Sequence, residues 1–328
     1  MSYAAIFPGQ GAARPGAGQP WVDHRAWRVV DEAEAATGRR LARLLLDAGS
    51  DELSTTGASQ LAVLLASLVA WDAVSVALDE PPVAFAGHSL GQITALIAAG
   101  AVSPADGFRL AVERAERSQA SADASAGRMA ALVGADPEVA AAVCADGPDV
   151  WVANDNAPGQ VVIAGTPAGL DAAAERAREV GVRRVMPLDV GHEFHTPLLA
   201  DAAEGLRPLL DATTFRQPTA PVVANTDATA HTDPAGWPDL LARHLVESVR
   251  WRQSQRALVD MGATAFVEIG PGRVLAGLAK RTVPDVTVHN VASPADVDAL
   301  VDALAGPAST GADERGPGRD FAESGARR

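Results

Sequence analysis

Residues 83–100, VAFAGHSLGQITALIAAG, read as a short apolar strand (Val83–Ala86), a tight turn and a helix of about Leu90–Ala99 closed by Gly100. The turn is Gly87-His88-Ser89-Leu90-Gly91, a Gly-x-Ser-x-Gly placed between strand and helix. Glycines at its ends permit a strained reversal that lifts a serine hydroxyl clear of the backbone, which makes Ser89 a nucleophile candidate. The N–H of Leu90, at the helix start, is then a donor to a developing oxyanion. The plainer alternative is that Ser89 only caps the helix.

The same grammar recurs at the start of the chain, where a strand at Tyr3–Phe7 runs into Pro8-Gly9-Gln10-Gly11. Strands that end in glycine turns and feed helices define an α/β architecture with its sites at the strands' carboxyl ends. Helical periodicity follows at Trp27–Thr37 and Gln60–Leu78. From about Arg128 the rhythm changes to strand (Met129–Val133), helix (Pro137–Ala145), strands (Val150–Ala153 and Gln160–Ala164), helix (Pro167–Val180) and strand (Val182–Leu188). This βαββαβ order is the ferredoxin-like pattern. The expected fold is therefore α/β: a larger domain with a parallel sheet core (1–127 and 191–305) carrying an inserted ferredoxin-like subdomain (128–190). It ends with strands Ala265–Ile269 and Thr287–Val291 flanking a helix, and a disordered tail is expected at 306–328.

Composition narrows the function. With 48% hydrophobic residues among 328, the chain buries a sizeable core, and its formal charge of −14 excludes a general nucleic-acid binder or a basic membrane-surface protein. Lys280 is the only lysine, so the positive charge is nearly all arginine. A lone cysteine, Cys144, excludes a disulfide framework and reads as an indifferent buried thiol. The N-terminus lacks the pattern of a signal peptide, and no uninterrupted apolar run reaches the ~18 residues of a membrane span. A cytoplasmic protein without membrane association is expected.

A serine nucleophile needs a base, and there are seven histidines: His24, His88, His192, His195, His231, His244 and His289. His88 adjoins the nucleophile, but its side chain is expected to leave the turn in another direction. His192 and His195 follow a strand end, and spacing alone does not choose between them. An ordinary α/β-hydrolase carries its histidine late, whereas 133 residues follow His195, which weakens a simple esterase reading.

Six segments in order carry a resemblance: FPGQG (7–11), GHSLG (87–91), NDNAPGQVVIAG (154–165), VGHEFHTPLL (190–199), SVRW (248–251) and VEIGPGRVLAGLAKR (267–281). Together they resemble the malonyl-CoA:acyl-carrier-protein transacylases and the acyltransferase domains of polyketide synthases, over about residues 3–292. The resemblance implies a hydrolase-like α/β domain with a ferredoxin-like insert, with Ser89 as nucleophile, His195 as general base and acid, and the backbone N–H groups of Gln10 and Leu90 as oxyanion hole. It implies a dyad, with the histidine oriented by a backbone carbonyl; Asp189 and Glu193 are then solvated or structural. It places Arg114, twenty-five residues after Ser89, as the clamp on the substrate carboxylate, a role for which a planar guanidinium is suited. Read from the residues alone, Arg114 is one more arginine on a charged helix with Arg109, Glu113, Glu116 and Arg117. Gln60, His88, Asn154, Asn156, His192, Phe194 and His244 are the further substrate-binding candidates, with Gln119 in the same stretch as Arg114.

The implied reaction is ping-pong transfer of malonyl from coenzyme A, itself the substrate thioester, to the phosphopantetheine thiol of an acyl carrier protein. No metal or redox cofactor is implied, and a monomer is expected. Three positions depart from the family pattern: Gln92 replaces the glutamate of GHSLGE, Ser118 the methionine of RGxxMQ, and His244 a glutamine. His192-Glu193-Phe194-His195 resembles the HAFH tetrapeptide associated with malonyl selection. Rival readings are a carrier-protein hydrolase of the same fold, a transferase for a larger or uncharged acyl group or acting between carriers, and a silent docking protein. Coenzyme A and carrier protein are both acidic, so a chain of −14 needs local positive patches to receive them. Arg273, Lys280 and Arg281 make one candidate patch, and Arg250, Arg252 and Arg256 another.

Overall fold

A computed structural model of the chain describes residues 1–145, 147, 149–188 and 192–305. Asp189, the boundary expected at 190/191 and the tail expected at 306–328 lie outside the described residues. The chain opens with β1 (Tyr3–Phe7), α1 (Arg28–Thr37), α2 (Ala42–Leu46), α3 (Ser50–Leu53), α4 (Thr56–Ala77), β2 (Ala84–Gly87), α5 (Gly91–Ala98) and α6 (Pro104–Ala124). Next come β3 (Arg128–Val133), α7 (Pro137–Ala145), β4 (Val150–Ala157), β5 (Gln160–Gly165), α8 (Pro167–Glu179) and β6 (Arg184–Pro187). It closes with α9 (Ala200–Ala212), β7 (Val222–Val223), β8 (Ala230–His231), α10 (Trp237–Val246), α11 (Trp251–Asp260), β9 (Ala265–Ile269), α12 (Val274–Thr282), β10 (Thr287–Val291) and α13 (Pro294–Ala305).

Six strands form one sheet in the order β10-β9-β1-β2-β7-β8, parallel except where β8 returns on β7. Helices cover both faces, so β1 and β2 are apolar without polar alternation. Tyr3, Ala5 and Phe7 pack into the layer that contains α4, α5 and α6, whereas Ala4 and Ile6 face Trp251 and Leu258 of α11 and Leu275 and Leu278 of α12. β3 to β6 form a second, antiparallel sheet in the order β4-β5-β3-β6. One of its faces packs on α7 and α8, and the other meets Phe194, Leu199 and Ala202.

β4 is longer than its sequence suggests. The strand read as Val150–Ala153 continues to Ala157 through Asn154-Asp155-Asn156, residues of low strand propensity. Tertiary pairing overrides that propensity: β5 lies alongside, and Val249 exchanges backbone hydrogen bonds of 2.9 Å with Ala153 and Asp155. Arg252 adds an ion pair with the buried Asp155 at 3.0 Å, tying the second sheet to α11. Two register shifts in β4, between Val152 and Asn154 and between Asp155 and Ala157, bend the strand at the cleft.

Helix α4 is long and apolar enough by length and composition to cross a membrane, with a mean hydropathy of 1.8. It is nevertheless a core helix, 72% buried over that stretch, and it carries Ser59, Gln60 and Ser67 inside the protein. These polar residues break the apolar run that a sequence count looks for.

Glu268 on β9 is buried and reaches the start of α12, where its two oxygens accept the N–H groups of Leu275 (3.0 Å) and Ala276 (2.8 Å). Asn290 Nδ2 donates to the same carboxylate at 2.8 Å. A remote side chain thus satisfies the first-turn donors that a helix leaves open. Glu268→Ala leaves these buried donors without an acceptor, and a loss of about 1–3 kcal/mol is expected in urea unfolding. Glu268→Gln, which keeps one acceptor oxygen, is expected to lose less.

Candidate active site

Both turns singled out in the sequence lie at the carboxyl edge of the parallel sheet, β1 leading to Gln10 and β2 to Ser89. They approach closely because glycines permit it. A Cβ on Gly91 would stand 2.2 Å from the carbonyl oxygen of Phe7, and one on Gly87 would stand 1.8 Å from that of Gly91. Ser89 itself has φ +51°, a left-handed backbone that costs a non-glycine residue about 1–3 kcal/mol.

His195 is the histidine brought to Ser89. Its Nε2 lies 2.8 Å from Ser89 Oγ, and its Nδ1–H donates to the carbonyl of His244 at 2.8 Å. A carbonyl only accepts, so Nδ1 carries the proton and Nε2 is bare, ready to receive the serine proton. His195 also has a left-handed backbone, φ +61°. The ring of His244 lies 5.1 Å from that of His195, inclined at 33°.

Arg114 faces inward. Among the charged residues of α6 it is the buried one, 3% exposed, and it pairs with no carboxylate among the described residues. One guanidinium nitrogen donates to Ser89 Oγ at 3.2 Å and the other to Gln60 Oε1. Burial brings Arg114 down to about 10, so it keeps its proton at neutral pH. Burial, with Arg114 nearby, brings His195 down to about 3, and burial also depresses His244 and His88. The centre therefore holds one buried positive charge and neutral imidazoles. Gln60 Nε2, Ser118 Oγ and His244 Nε2 are buried and have no hydrogen-bond partner among the described residues.

In front of the dyad opens a cleft of about 330 Å³, lined by Gln10, His88, Ser89, Asn154, Asn156, Phe194 and His195 and by the apolar Met129, Val162, Val274 and Leu278. The N–H groups of Gln10 and Leu90 have no carbonyl acceptor among the described hydrogen bonds. His88 turns away from Ser89 and its Nε2–H donates to Asn156 Oδ1 at 2.7 Å. A larger groove of about 520 Å³ between α2, α4 and α6 holds neither nucleophile nor base, and Glu116 and Glu52 neutralise its Arg39 and Arg43.

Other candidates fall elsewhere. His192 is not among the residues lining the cleft; its ring packs edge-on against Phe194 at 5.8 Å. Gln60 and His244 sit behind the dyad, not in the cleft wall. Gln119 instead holds the N–H of Gly57 (3.1 Å) and donates to Asp123 (2.8 Å). Glu193 is buried at 2% exposure and is not solvated. Cys144 is buried, and burial pushes its thiol up to about 11. Arg252 is committed to Asp155, which breaks up the patch expected at Arg250, Arg252 and Arg256.

Two residues carry site geometry that the sequence did not signal. Asn225, just beyond β7, accepts the N–H of Ser89, and Glu268 sets the start of the cleft-lining helix α12. Asn225 acts across 136 residues, where no local pattern announces a contact, and Glu268 acts across the glycine turn between β9 and α12, a contact that neither strand nor helix periodicity reports.

A serine–histidine pair on the strand-to-helix turn of a mixed α/β fold, with a buried cation beside it, is an arrangement for acyl transfer through serine. The chain belongs to the acyl transferase domain family, whose pattern matches residues 5–305. It is 36% identical to the malonyl CoA-acyl carrier protein transacylase of Bacillus subtilis (strain 168), over 92% of this chain and 96% of that protein. Among solved structures, the acyl-carrier-protein S-malonyltransferase of Burkholderia pseudomallei 1710b superposes with a TM-score of 0.86 at 38% identity, over 92% of this chain and 99% of that one. A type II PKS acyl-carrier protein in complex with its malonyl-transacylase gives 0.87 at 31% identity, over 92% of this chain and 99% of the other.

A pH profile tests the electrostatics. His195 acts as a base only when unprotonated, and its lowered value keeps it so as pH falls below 6.5. The acid limb of Ser89 labelling by a small neutral serine-directed reagent is expected below pH 6.5. Arg114→Ala, which removes one cause of the depression, is expected to move that limb upward. A wild-type limb at or above the ordinary histidine value contradicts this account.

Proposed function

We propose that this acyltransferase moves a malonyl group from coenzyme A to the phosphopantetheine thiol of an acyl carrier protein, through malonyl-Ser89. The observation that carries the reading is the buried guanidinium of Arg114 beside the Ser89–His195 pair, without a carboxylate partner among the described residues. A buried cation without a counter-ion is costly, and a substrate carboxylate supplies the missing partner. An uncharged acyl group leaves it unpaired.

His195 Nε2 takes the Ser89 proton as Oγ attacks the thioester carbonyl. The N–H groups of Gln10 and Leu90 hold the oxyanion, the C–S bond breaks, and His195 returns the proton to the departing coenzyme A thiol. The carrier's thiol then gives its proton to His195 and its sulfur takes the acyl carbon, while Ser89 Oγ leaves and recovers the proton. The His244 carbonyl stabilises the transient imidazolium, replacing the carboxylate of a triad. Neither a metal nor a redox cofactor enters these steps; one chain supplies nucleophile, base and clamp, which fits action as a monomer, and we assign that action to the cytoplasm. Asn154, Asn156, His88 and Phe194 are assigned to the substrate cleft and Gln60 to orienting Arg114.

We read the parallel-rich unit (1–127 and 191–305) as hydrolase-like and 128–190 as a ferredoxin-like insert. The strand order β4-β5-β3-β6 and its antiparallel pairing support the latter. α12 offers the docking face for the acidic carrier. Val274, Leu275 and Leu278 line the cleft mouth, and Arg273, Lys280 and Arg281 are exposed along the same helix. Arg281 also donates to Gln160 Oε1 at 2.8 Å, so the charge lies against the turn between β4 and β5.

Intact-mass analysis with a panel of acyl-CoAs tests the reaction. Wild type is expected to form malonyl-Ser89 and to pass the group to holo carrier protein, and Ser89→Ala to form no adduct. Arg114→Ala is expected to lose malonyl loading by on the order of 10²-fold or more, with a far smaller change for acetyl. Equal malonyl and acetyl rates in wild type exclude the clamp, and rapid release of free acid without carrier loading favours the hydrolase. Reversal of charge at Arg273 and Lys280 is expected to raise KM for carrier protein several-fold, with a weaker salt dependence, while Ser89 loading at saturating malonyl-CoA is unchanged.

A further inference from the structure

The first turn of α5 holds the left-handed Ser89 on its carbonyl side, where the Gln92 N–H donates at 2.9 Å, and β1 holds the His88 N–H through the Phe7 carbonyl at 2.9 Å, but neither engages the Ser89 N–H. The grip comes from Asn225, which is 1% exposed and lies beyond the two-residue strand β7. Its Oδ1 accepts the N–H of Ser89 at 2.9 Å, and its Nδ2–H donates to the carbonyl of Gly87 at 2.8 Å. The backbone N–H of Asn225 donates to Gln92 Oε1 at 2.9 Å, and its carbonyl accepts the N–H of Arg250 at 2.9 Å. Every backbone and side-chain polar group of Asn225 is thereby engaged.

One planar carboxamide thus grips two peptide units, those on either side of His88. The second is the peptide plane from which the Ser89 side chain projects, and rotation of that plane is the motion that would relax φ of Ser89. We propose that Asn225 is a positioning residue for Ser89: it holds these two peptide planes, and with them the aim of the Ser89 hydroxyl at His195, while Gln92 holds Asn225 from the first turn of α5. The inference rests on Ser89 being the nucleophile.

The chemistry of each group is specific. Gly87 needs a donor and Ser89 an acceptor, so a carboxamide satisfies both; a carboxylate sets an acceptor against a carbonyl, and an alkyl group serves neither. Occupation of the Ser89 N–H also leaves the N–H of Leu90 as the donor free at the elbow. Gln92, where the family pattern has glutamate, supplies an acceptor through Oε1, and its Nε2 has no partner among the described residues. The substitution of Gln for Glu therefore preserves the one function the elbow uses.

The test compares Asn225→Ala, Asn225→Asp, Gln92→Leu and Gln92→Glu with wild type. Single-turnover formation of malonyl-Ser89, KM for malonyl-CoA, Ser89 labelling by a small neutral reagent, and Tm are measured for each. Asn225→Ala and Asn225→Asp are expected to slow acylation on the order of 10²-fold, the scale of a misaimed reactant, and labelling by a similar factor. KM is expected to stay within about twofold, because Arg114 and the cleft are untouched. Gln92→Leu is expected to slow both rates less, and Gln92→Glu, which keeps the acceptor, to retain most of the wild-type rate.

Wild-type acylation in a folded Asn225 variant overturns the proposal, as does a rate loss matched by a rise in KM and a fall in Tm. Where an Asn225 variant folds and shows the loss, Gln92→Leu acylating at the wild-type rate removes only the part assigned to Gln92. Should Asn225→Ala not fold, Asn225→Asp decides, and if neither folds, Gln92→Leu with an unchanged labelling rate overturns the proposal. Labelling of a residue other than Ser89 in wild type removes the underlying reading instead.

Discussion

Between β2 and α5 the chain reverses within a few residues, and it does so with Ser89 in a left-handed conformation that a side chain disfavours. The reversal exists because side chains are absent at Gly87 and Gly91, which lets the Phe7 carbonyl and the first turn of α5 come within contact of the turn. Everything else in the centre is built to that geometry. Gln10 reaches the nucleophile because β1 is the neighbour of β2, and Asn225 reaches it because β7 lies on the other side. The parallel sheet is thus a positioning device for one hydroxyl.

Beside that hydroxyl the structure buries a cation and two imidazoles and, among the described residues, supplies no carboxylate partner to the cation. Arg114, His195 and His244 are all buried, and burial alone makes further positive charge unfavourable there. The imidazole is kept neutral by its surroundings and kept in register by a carbonyl, a substitute for the usual carboxylate. Placing a buried carboxylate next to His195 would neutralise Arg114 from within. Among the described residues the dyad has no carboxylate hydrogen-bond partner, so the charge of Arg114 is not neutralised there.

The family departures read differently once their contacts are known. Gln92 keeps the acceptor that Asn225 needs, so the loss of a charge at the elbow leaves the hydrogen bond in place. The backbone of His244, not its side chain, orients His195, which makes that duty tolerant of the residue there. Ser118 lies one turn beyond Arg114 on α6 with its hydroxyl buried, a position from which a side chain alters the surroundings of that guanidinium.

Local pattern determined a good deal of this protein by itself. The apolar runs of β1, β2 and β9, the glycine-bounded turn at Ser89 and the βαββαβ order at Arg128–Pro187 depend on residues a few positions apart, and periodicity reports such constraints directly. The two-residue strands β7 and β8 are too short for any period, and β4 runs through polar residues, so these elements owe their existence to neighbouring strands. Spacing left His192 and His195 equivalent; packing sends one ring against Phe194 and the other to Ser89. Composition made Arg114 one of several arginines on a charged helix, and only burial of one face of α6 distinguishes it from Arg109 and Arg117. Sequence alone determined the local conformations and the supply of reactive groups. The tertiary structure decided which of them meet, because burial and long-range hydrogen bonds belong to the packed chain and leave no mark on the order of neighbouring residues.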